Sequence, residues 1–365
     1  MPNPIQGWLN RLLGRGSAAI TVPIMDGALK PNRALDEATV VLNLPGIDDI
    51  ASDGQQLLIS AGPVIYVLEN GVARELRRFE APITALAVSA NGHVAVALDG
   101  CELRVLDAAG ATLAQTQTLG GRNLRSANAL AFEGDDGLLV SDGSEHFGPE
   151  QWCHDLMQHG KTGKVGRWNW QSGTSTLLAQ NTRYAFGVLA SKGLARWSES
   201  WKHTLGSVRG SGAALPATVA ELPGYPSRMA QAQGGGFWLT CFVCRTQLVE
   251  FVLREDAYRK RMVQEIHPSQ WVAPALSSGK SFLEPLQGAG VKTMGVLKPW
   301  APPRSYGLVL RVADDGRVLS SLHSQVDGQH HGITAVAEHA GALYLVSKGS
   351  ARLLRVELNA AGDAA

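Results

Sequence analysis

Six positions in this chain occupy the same place in a recurring segment, and their side chains set the chemistry to look for. Asp48, Thr84, Asn128, Phe186, Ser227 and Thr334 each stand second in a five-residue stretch of small and apolar residues. Five of the six carry a side-chain oxygen, so a fold that gathers them around one point makes a polar ring. Such a ring can hold a hard cation, although Ca2+ takes roughly 6 to 8 oxygens and usually more than one carboxylate. Asp48 is the only carboxylate of the set, with Asp49 beside it, and Phe186 interrupts the ring. Asp48 is therefore the one charged metal candidate in the ring. Ca2+ is the one cofactor to weigh against the expectation of none. Thr84, Phe186, Ser227, Arg228 and Thr334 are the ligand-contact candidates. The competing reading is a water-filled channel whose hydroxyls satisfy one another.

Two histidines can serve as a general base if a small molecule binds over such a ring. His146 follows Glu145 and Asp142, and His331 stands beside His330 just before Thr334. The alternative for each is a solvated or hydrogen-bonded loop histidine. Cys241 and Cys244 form a CxxC inside an apolar run, with no second pair to complete a zinc site, and read as ordinary strand cysteines. Gly279-Lys280-Ser281 has the end of a phosphate loop, but Pro274 stands where its first glycine is required. Ser277 and Lys280 match a β-lactamase spacing without its companion motifs, and no GxSxG elbow is present.

The elements that must position these residues are short strands. The recurring segment begins at Ile47, Ile83, Ala127, Ala185, Pro226 and Ile333, and each copy continues through a turn into a second apolar strand. Those second strands are Gln56-Leu-Leu-Ile-Ser, His93-Val-Ala-Val-Ala, Leu138-Leu-Val-Ser, Leu194-Ala-Arg-Trp-Ser, Phe237-Trp-Leu-Thr and Leu343-Tyr-Leu-Val-Ser. Third and fourth strands follow, as in Val64-Ile-Tyr-Val-Leu with Asn70-Gly turning into Ala73-Arg-Glu-Leu. A four-stranded unit repeated in this way cannot bury its own faces and must pack on its neighbours, as the blades of a propeller do. The expected fold class is all-β: a six-bladed β-propeller with an N-terminal amphipathic helix and helical or loop insertions. The expected organisation is an N-terminal helix and arm over 1–34, one propeller over 35–357 and a tail over 358–365. Thr39-Val-Val-Leu-Asn-Leu is expected as the outer strand of the last blade, closing the ring. Insertions fall at about 147–160 and 246–303, both with helical stretches, and are candidate lids over one end.

Composition bounds the partners. Of 365 residues, 33 are Lys or Arg and 32 Asp or Glu, a net charge of +1 that gives no field to steer nucleic acid. Forty-one glycines suit many turns, and four cysteines make no disulfide scaffold. The N-terminus lacks the pattern of a signal peptide, and no apolar run reaches the roughly 18 residues of a membrane span. Ile5, Trp8, Leu9, Leu12 and Leu13 fall at helical spacing. That helix is expected to dock on the protein's own surface, with peripheral membrane or protein contact as the alternative. A cytoplasmic location follows, peripheral to a membrane if the helix binds one.

The motifs resemble the strictosidine synthase-like family. Leu139-Val-Ser-Asp-Gly-Ser, Gly163-Lys-Val-Gly-Arg-Trp, Tyr184-Ala-Phe-Gly-Val-Leu-Ala, Leu222-Pro-Gly-Tyr-Pro-Ser-Arg and Gly236-Phe-Trp-Leu-Thr run in that family's order, and Ile333-Thr-Ala-Val-Ala resembles its last blade. The likeness covers about residues 35 to 355. It implies a six-bladed propeller related to calcium-dependent lactonases and esterases of the paraoxonase and gluconolactonase type. In those relatives the axial residues are Glu, Asn, Asn and Asp; the matching positions here are Asp48, Asn128, Phe186 and Ser227, so the resemblance implies Asp48 and Asn128 as the residues that would hold a metal. The usual Pro-Asp-Asn is Pro226-Ser227-Arg228, and Thr334 stands where strictosidine synthases carry their acid/base glutamate, so condensation by that mechanism is not expected.

Two functions follow. One is an enzyme acting on a small organic molecule at the central channel, a lactone or ester hydrolase with His146 or His331 as base and Asp48 and Asn128 as polar anchors. The other is a non-catalytic propeller, with Arg228 holding an anionic metabolite or the insertions holding a protein partner.

Overall fold

Each of the six repeated segments forms the first strand of a four-stranded antiparallel sheet, and the six sheets stand around one axis as propeller blades. The computed structural model describes residues 22–210, 212–278, 292–293, 296–297 and 305–359. The inner strands are Ile47–Ser52, Ile83–Val88, Ala127–Glu133, Ala185–Ser191, Gly224–Gln231 and Ile333–His339, in blades 1 to 6. The last blade takes Thr39–Asn43 as its outer strand, antiparallel to Arg352–Glu357 with Thr39 opposite Arg355 and Asn43 opposite Arg352. The two ends of the chain therefore close the ring. The expected N-terminal helix lies outside the described residues.

Local sequence explains the blades. Asn70 and Gly71 both adopt positive φ, 51° and 78°, the geometry of a two-residue hairpin turn that joins Val64–Glu69 to Val72–Arg78. Apolar residues on both faces of the sheets pack against the next blade, giving one core layer for every blade interface. Leu58 and Ile65 of blade 1 meet Leu86 and Val96 of blade 2, for example, and Ile47 and Ile59 meet Val346 and Leu353 across the closure. Each such Leu or Ile contributes about 1.5–3 kcal/mol by leaving water. Near the axis the inner strands approach closely: a Cβ on Gly187 would lie 2.1 Å from the Ser227 carbonyl oxygen.

A seventh apolar cluster belongs to no blade interface. It joins both insertions to blades 4 and 5 through Leu156, Met157, Tyr184, Phe186, Trp201, Phe242, Val252, Met262 and Trp271. The first insertion contains a 3-10 turn, Pro149–Gln151, and a helix, Trp152–Met157. The second opens with Gln247–Arg254, capped by Thr246 Oγ1 accepting from Val249 N at 3.2 Å, followed by Asp256–Glu265. The helical period of that stretch is thus divided at Glu255, where ψ of 79° leaves the helix. Among the described residues no helix is long and apolar enough to cross a membrane.

Candidate functional site

The six second-position residues converge because each sits in a β-bulge. In blade 1, Ile47 pairs with Ala61 and Asp49 with Ser60, which leaves Asp48 as the extra residue. Thr84, Asn128 and Thr334 are extra in the same way. In blade 4 Phe186 and Gly187 together oppose Ser198, and in blade 5 Ser227 and Arg228 together oppose Thr240. A bulge re-aims a side chain that the two-residue period of a strand would otherwise send to a sheet face. One irregularity, repeated six times, makes the axis.

Most of these side chains are spent on joining blades. Thr84 Oγ1 donates to the Ala127 carbonyl at 2.8 Å, Asn128 Nδ2 to the Ala185 carbonyl at 3.0 Å, Ser227 Oγ to the Ile333 carbonyl at 3.3 Å, and Thr334 Oγ1 to the Asp48 carbonyl at 3.0 Å. Each donor thus reaches the inner strand of the following blade. A second ring repeats the pattern from the second strands. There Ser141 donates to the Phe186 carbonyl, Ser198 to the Ser227 carbonyl at 2.9 Å, and Thr240 to the Thr334 carbonyl at 3.2 Å. The hydroxyls read as a polar channel are bonded to backbone carbonyls.

Arg228 fills the centre. Its side chain is 7% exposed. Nε donates to the Asn128 carbonyl at 2.9 Å and lies 3.1 Å from Asp49 Oδ2. Nη1 donates to the Asp48 carbonyl at 2.8 Å, and Nη2 donates to Asp48 Oδ2 and to the Thr84 carbonyl, both at 2.7 Å. The guanidinium carbon stands 5.3 Å from the centre of the Phe186 ring, within cation–π range. Protein acceptors hold this arginine, which sets its geometry against the expected role of capturing an anionic metabolite.

The plug divides the axial channel into two chambers. The one beneath the insertions, about 510 Å3, is lined by the polar Asp48, Thr84, Asn128, Arg228, Thr334 and Lys348 and by the apolar or aromatic Trp152, Tyr184, Phe186, Phe242 and Leu276. Lys348 Nζ donates to Asp48 Oδ1 at 2.6 Å and to Glu150 Oε1 of the first insertion at 2.9 Å. Burial pushes the Asp48 carboxyl up, but Lys348 and Arg228 together outweigh it and hold the group below the usual carboxylate range. Asp49 faces the other chamber, of about 570 Å3. Burial dominates there and, against the pull of Arg228, pushes its carboxyl up to about 7.

Neither candidate base lines the chamber that holds Asp48 and Lys348. His331 is buried with both ring nitrogens engaged, Nδ1 with Ser305 Oγ at 2.7 Å and Nε2 with the Gln325 carbonyl at 2.8 Å. His146 is exposed in the turn after blade 3's second strand. Its neighbour Asp142 is committed to a buried ion pair with Lys164 at 2.6 Å. Cys241 and Cys244 are buried, and burial raises both thiols, the opposite of activation. Sequence reasoning missed Lys348, Glu150 and, of the aromatic residues, all but Phe186. The serines and threonine on the second strands were visible signals for the second ring, whereas nothing local marks Lys348, which is 300 residues from Asp48.

No family model matches the chain. Among curated proteins it is similar to adipocyte plasma membrane-associated protein from Bos taurus, 23% identical over an alignment of 375 positions that covers 92% of this chain and 82% of that one. The Homo sapiens protein of that name is 24% identical over 93% of this chain and 82% of its own length. The Salmo salar protein is 24% identical over 67% of this chain, a match spanning only about half, 54%, of that relative. Among solved structures, a gluconolactonase from Xanthomonas campestris superposes with a TM-score of 0.57 at 14% identity, covering 90% of this chain and 94% of that one. Regucalcin from Agrobacterium tumefaciens, described as a calcium-binding protein, gives 0.52 at 11% identity over 87% and 92%. A luciferin-regenerating enzyme gives 0.54 at 11% identity over 89% and 95%.

These likenesses establish a shared fold, and the calcium named for one neighbour has to be tested on the residues present here. Asp48 Oδ2 and the Asp48, Thr84 and Asn128 carbonyls are acceptors such an ion would need, and Arg228 already satisfies them with a positive charge, while the Asn128 side-chain oxygen accepts from Ser126 Oγ at 3.3 Å. Among the described residues no group of three or more His, Cys, Asp or Glu is arranged to hold a metal. A resident Ca2+ on the axis does not fit this donor set, since a buried guanidinium would face it at contact distance. The chain is a six-bladed propeller of the architecture shared with gluconolactonase and regucalcin, with an arginine at the centre of its axis.

Proposed function

We propose that the protein binds a compact organic molecule in the chamber beneath its insertions, without a metal ion. The observation that carries this reading is the make-up of that chamber's lining, in which Trp152, Tyr184, Phe186 and Phe242 occur together with the Asp48–Lys348 ion pair. A concave site of a few hundred Å3 with apolar walls and few convergent polar groups is the usual form of a small-molecule site. The ligand that fits has a flat or cyclic apolar body, which packs on the rings, and an acceptor such as a carbonyl for Lys348 Nζ. The Lys348 side chain is 25% exposed and retains donor capacity beyond its two carboxylate partners.

Hydrolysis of a lactone or ester is the second reading, favoured by the fold shared with a gluconolactonase and by the resemblance to strictosidine synthase-like propellers. In this reading Lys348 polarises the carbonyl and Asp48 accepts a proton from the attacking water. Asp48 is a weak base for that task because its two cationic neighbours stabilise the ionised form. Binding is therefore the better-supported function.

A panel of lactones, aryl esters and cyclic ketones, followed by calorimetry and by product formation, tests both readings. Binding should weaken roughly tenfold in Lys348→Met and in Phe186→Leu, the loss of about 1.4 kcal/mol in each. Equal affinity in wild type and both variants places the ligand elsewhere and ends the proposal. Turnover that survives a chelator and disappears in Asp48→Asn would establish the hydrolase.

A further inference from the structure

Lys348 is a fixed cation with one displaceable partner. It opens the 3-10 turn Lys348–Ser350 that follows blade 6's second strand, Ala342–Ser347. That turn is locked in place. Ser347 Oγ donates to the His331 carbonyl at 2.6 Å and lies 2.7 Å from Ser350 Oγ, and a Cβ on Gly349 would stand 2.0 Å from the Leu276 carbonyl oxygen. Of the two carboxylates on Lys348 Nζ, Asp48 is equally fixed, because its other oxygen accepts from Arg228 at 2.7 Å. Glu150 is held far less. It lies in the turn of the first insertion, 80% exposed, with Lys348 as its one polar side-chain partner among the described residues. One donor of Lys348 is thus given to a carboxylate that can turn out into water.

Resting on the reading of this chamber as the ligand site, we propose that Glu150 stands in for the ligand's own carboxylate, so that the chamber selects a cyclic or aryl monocarboxylate that replaces Glu150 on Lys348 Nζ. The charges of the lining support this choice. Asp48, Asp99 and Glu150 stand against Arg125, Arg228 and Lys348, so the lining is neutral only while Glu150 is turned inward. With Glu150 in solvent the lining carries one net positive charge, which one carboxylate restores to zero and a dicarboxylate overshoots beside Asp48 and Asp99. Arg125 is exposed and, among the described residues, makes no ion pair; its side-chain contact is Cys101 Sγ at 3.7 Å. Burial draws the Lys348 ammonium down, but Asp48 and Glu150 outweigh it and keep the group protonated, above its ordinary range. The third N–H of Lys348 lets an incoming carboxylate bond before Glu150 leaves. The exchange gives up an ion pair open to water for one closed off by the ligand's own body, where a charge-assisted bond is stronger.

The experiment measures by calorimetry the binding of benzoate and cyclohexanecarboxylate, and of their methyl esters and primary amides, to wild type, Glu150→Gln, Lys348→Met and Phe186→Leu. In wild type each acid should bind about tenfold more tightly than its amide. Glu150→Gln should tighten the acids by about threefold to fivefold, the scale of an exposed ion pair, and leave esters and amides within about twofold. Lys348→Met should erase the preference for the acid. Acids that bind no better than amides overturn the proposal, as does a Glu150→Gln effect that is absent or equal for acids and esters. In either case the chamber remains the ligand site if the esters still weaken in Lys348→Met and Phe186→Leu. If no compound binds, or all bind equally to wild type and those two variants, the chamber reading fails and the carboxylate proposal fails with it.

Discussion

The two chambers on either side of Arg228 are close in volume and differ in what lines them. Beneath the insertions, about 510 Å3 is bounded by aromatic rings, a lysine and an ionised aspartate. At the far end, about 570 Å3 is bounded by small and aliphatic residues such as Ala87, Leu130 and Val336 together with Asp49, Asn91, Asp135 and Glu338, and by no aromatic ring other than Phe132 and His93. The adjacent carboxyls follow the same division. Asp48 is held below the ordinary carboxylate range and Asp49 is pushed up to about 7, because Lys348 reaches only the first. A propeller channel is open at both ends by construction, so chemistry must be added to one of them. Here the long insertions and the sixth blade's Lys348 add it to the end where the bulges lie.

Removing the partition should have the largest effect. Arg228→Ala leaves two buried carboxylates without their shared partner and should cost about 3–5 kcal/mol in chemical denaturation; a loss under about 1 kcal/mol would mean that the plug does not hold the blades. Next comes pH. Asp49 has a folded-state value raised from 3.8 to about 7, so it binds its proton more tightly when folded. Its contribution is therefore fully present below about pH 4, declines as pH rises and is gone above about 7. Asp48 runs the other way: its contribution is present above the unfolded value of 3.8 and is lost as pH falls through its lower folded value. Asp49→Asn should flatten the stability profile between about pH 4 and 7, and an unaltered slope in that variant would remove Asp49 from the account.

Smaller effects sharpen the contrast between the ends. Lys348→Met should lower stability by about 1–3 kcal/mol, the scale of a charge-assisted hydrogen bond, and raise the Asp48 carboxyl, seen by NMR titration. Glu150 is 80% exposed, so Glu150→Ala should alter stability by less than about 1 kcal/mol while speeding ligand exchange, because the insertion loses its tie to Lys348. Asn91→Ala, at the far rim, should change stability by less than about 0.5 kcal/mol and leave ligand affinity untouched. Weaker binding in that variant would show that the far chamber takes part.

Much of the architecture was legible because it is written locally. The six inner strands, the Asn70-Gly71 turn and the closing strand at Thr39–Asn43 follow from short-range alternation and turn chemistry. The site was legible only in part. Repetition located Asp48, Thr84, Asn128, Phe186, Ser227 and Thr334 correctly as a converging set, yet it suggested a cation ring where most members bond the next blade's carbonyls. Arg228 reads from the sequence as a charge near the axis, but its partners lie 100 to 180 residues away.

By itself, the sequence determined the blades, their number and the strand that closes them, since each depends on residues within a few positions of one another. Tertiary structure decided which side chains meet at the centre. That outcome depends on the bulge in each inner strand and on the closure of the ring. Together they bring Arg228 of blade 5 onto Asp48 of blade 1, and Lys348 of blade 6 onto the same carboxylate. Electrostatic satisfaction of a buried charge is a property of that assembled neighbourhood, and no local pattern in the chain encodes it.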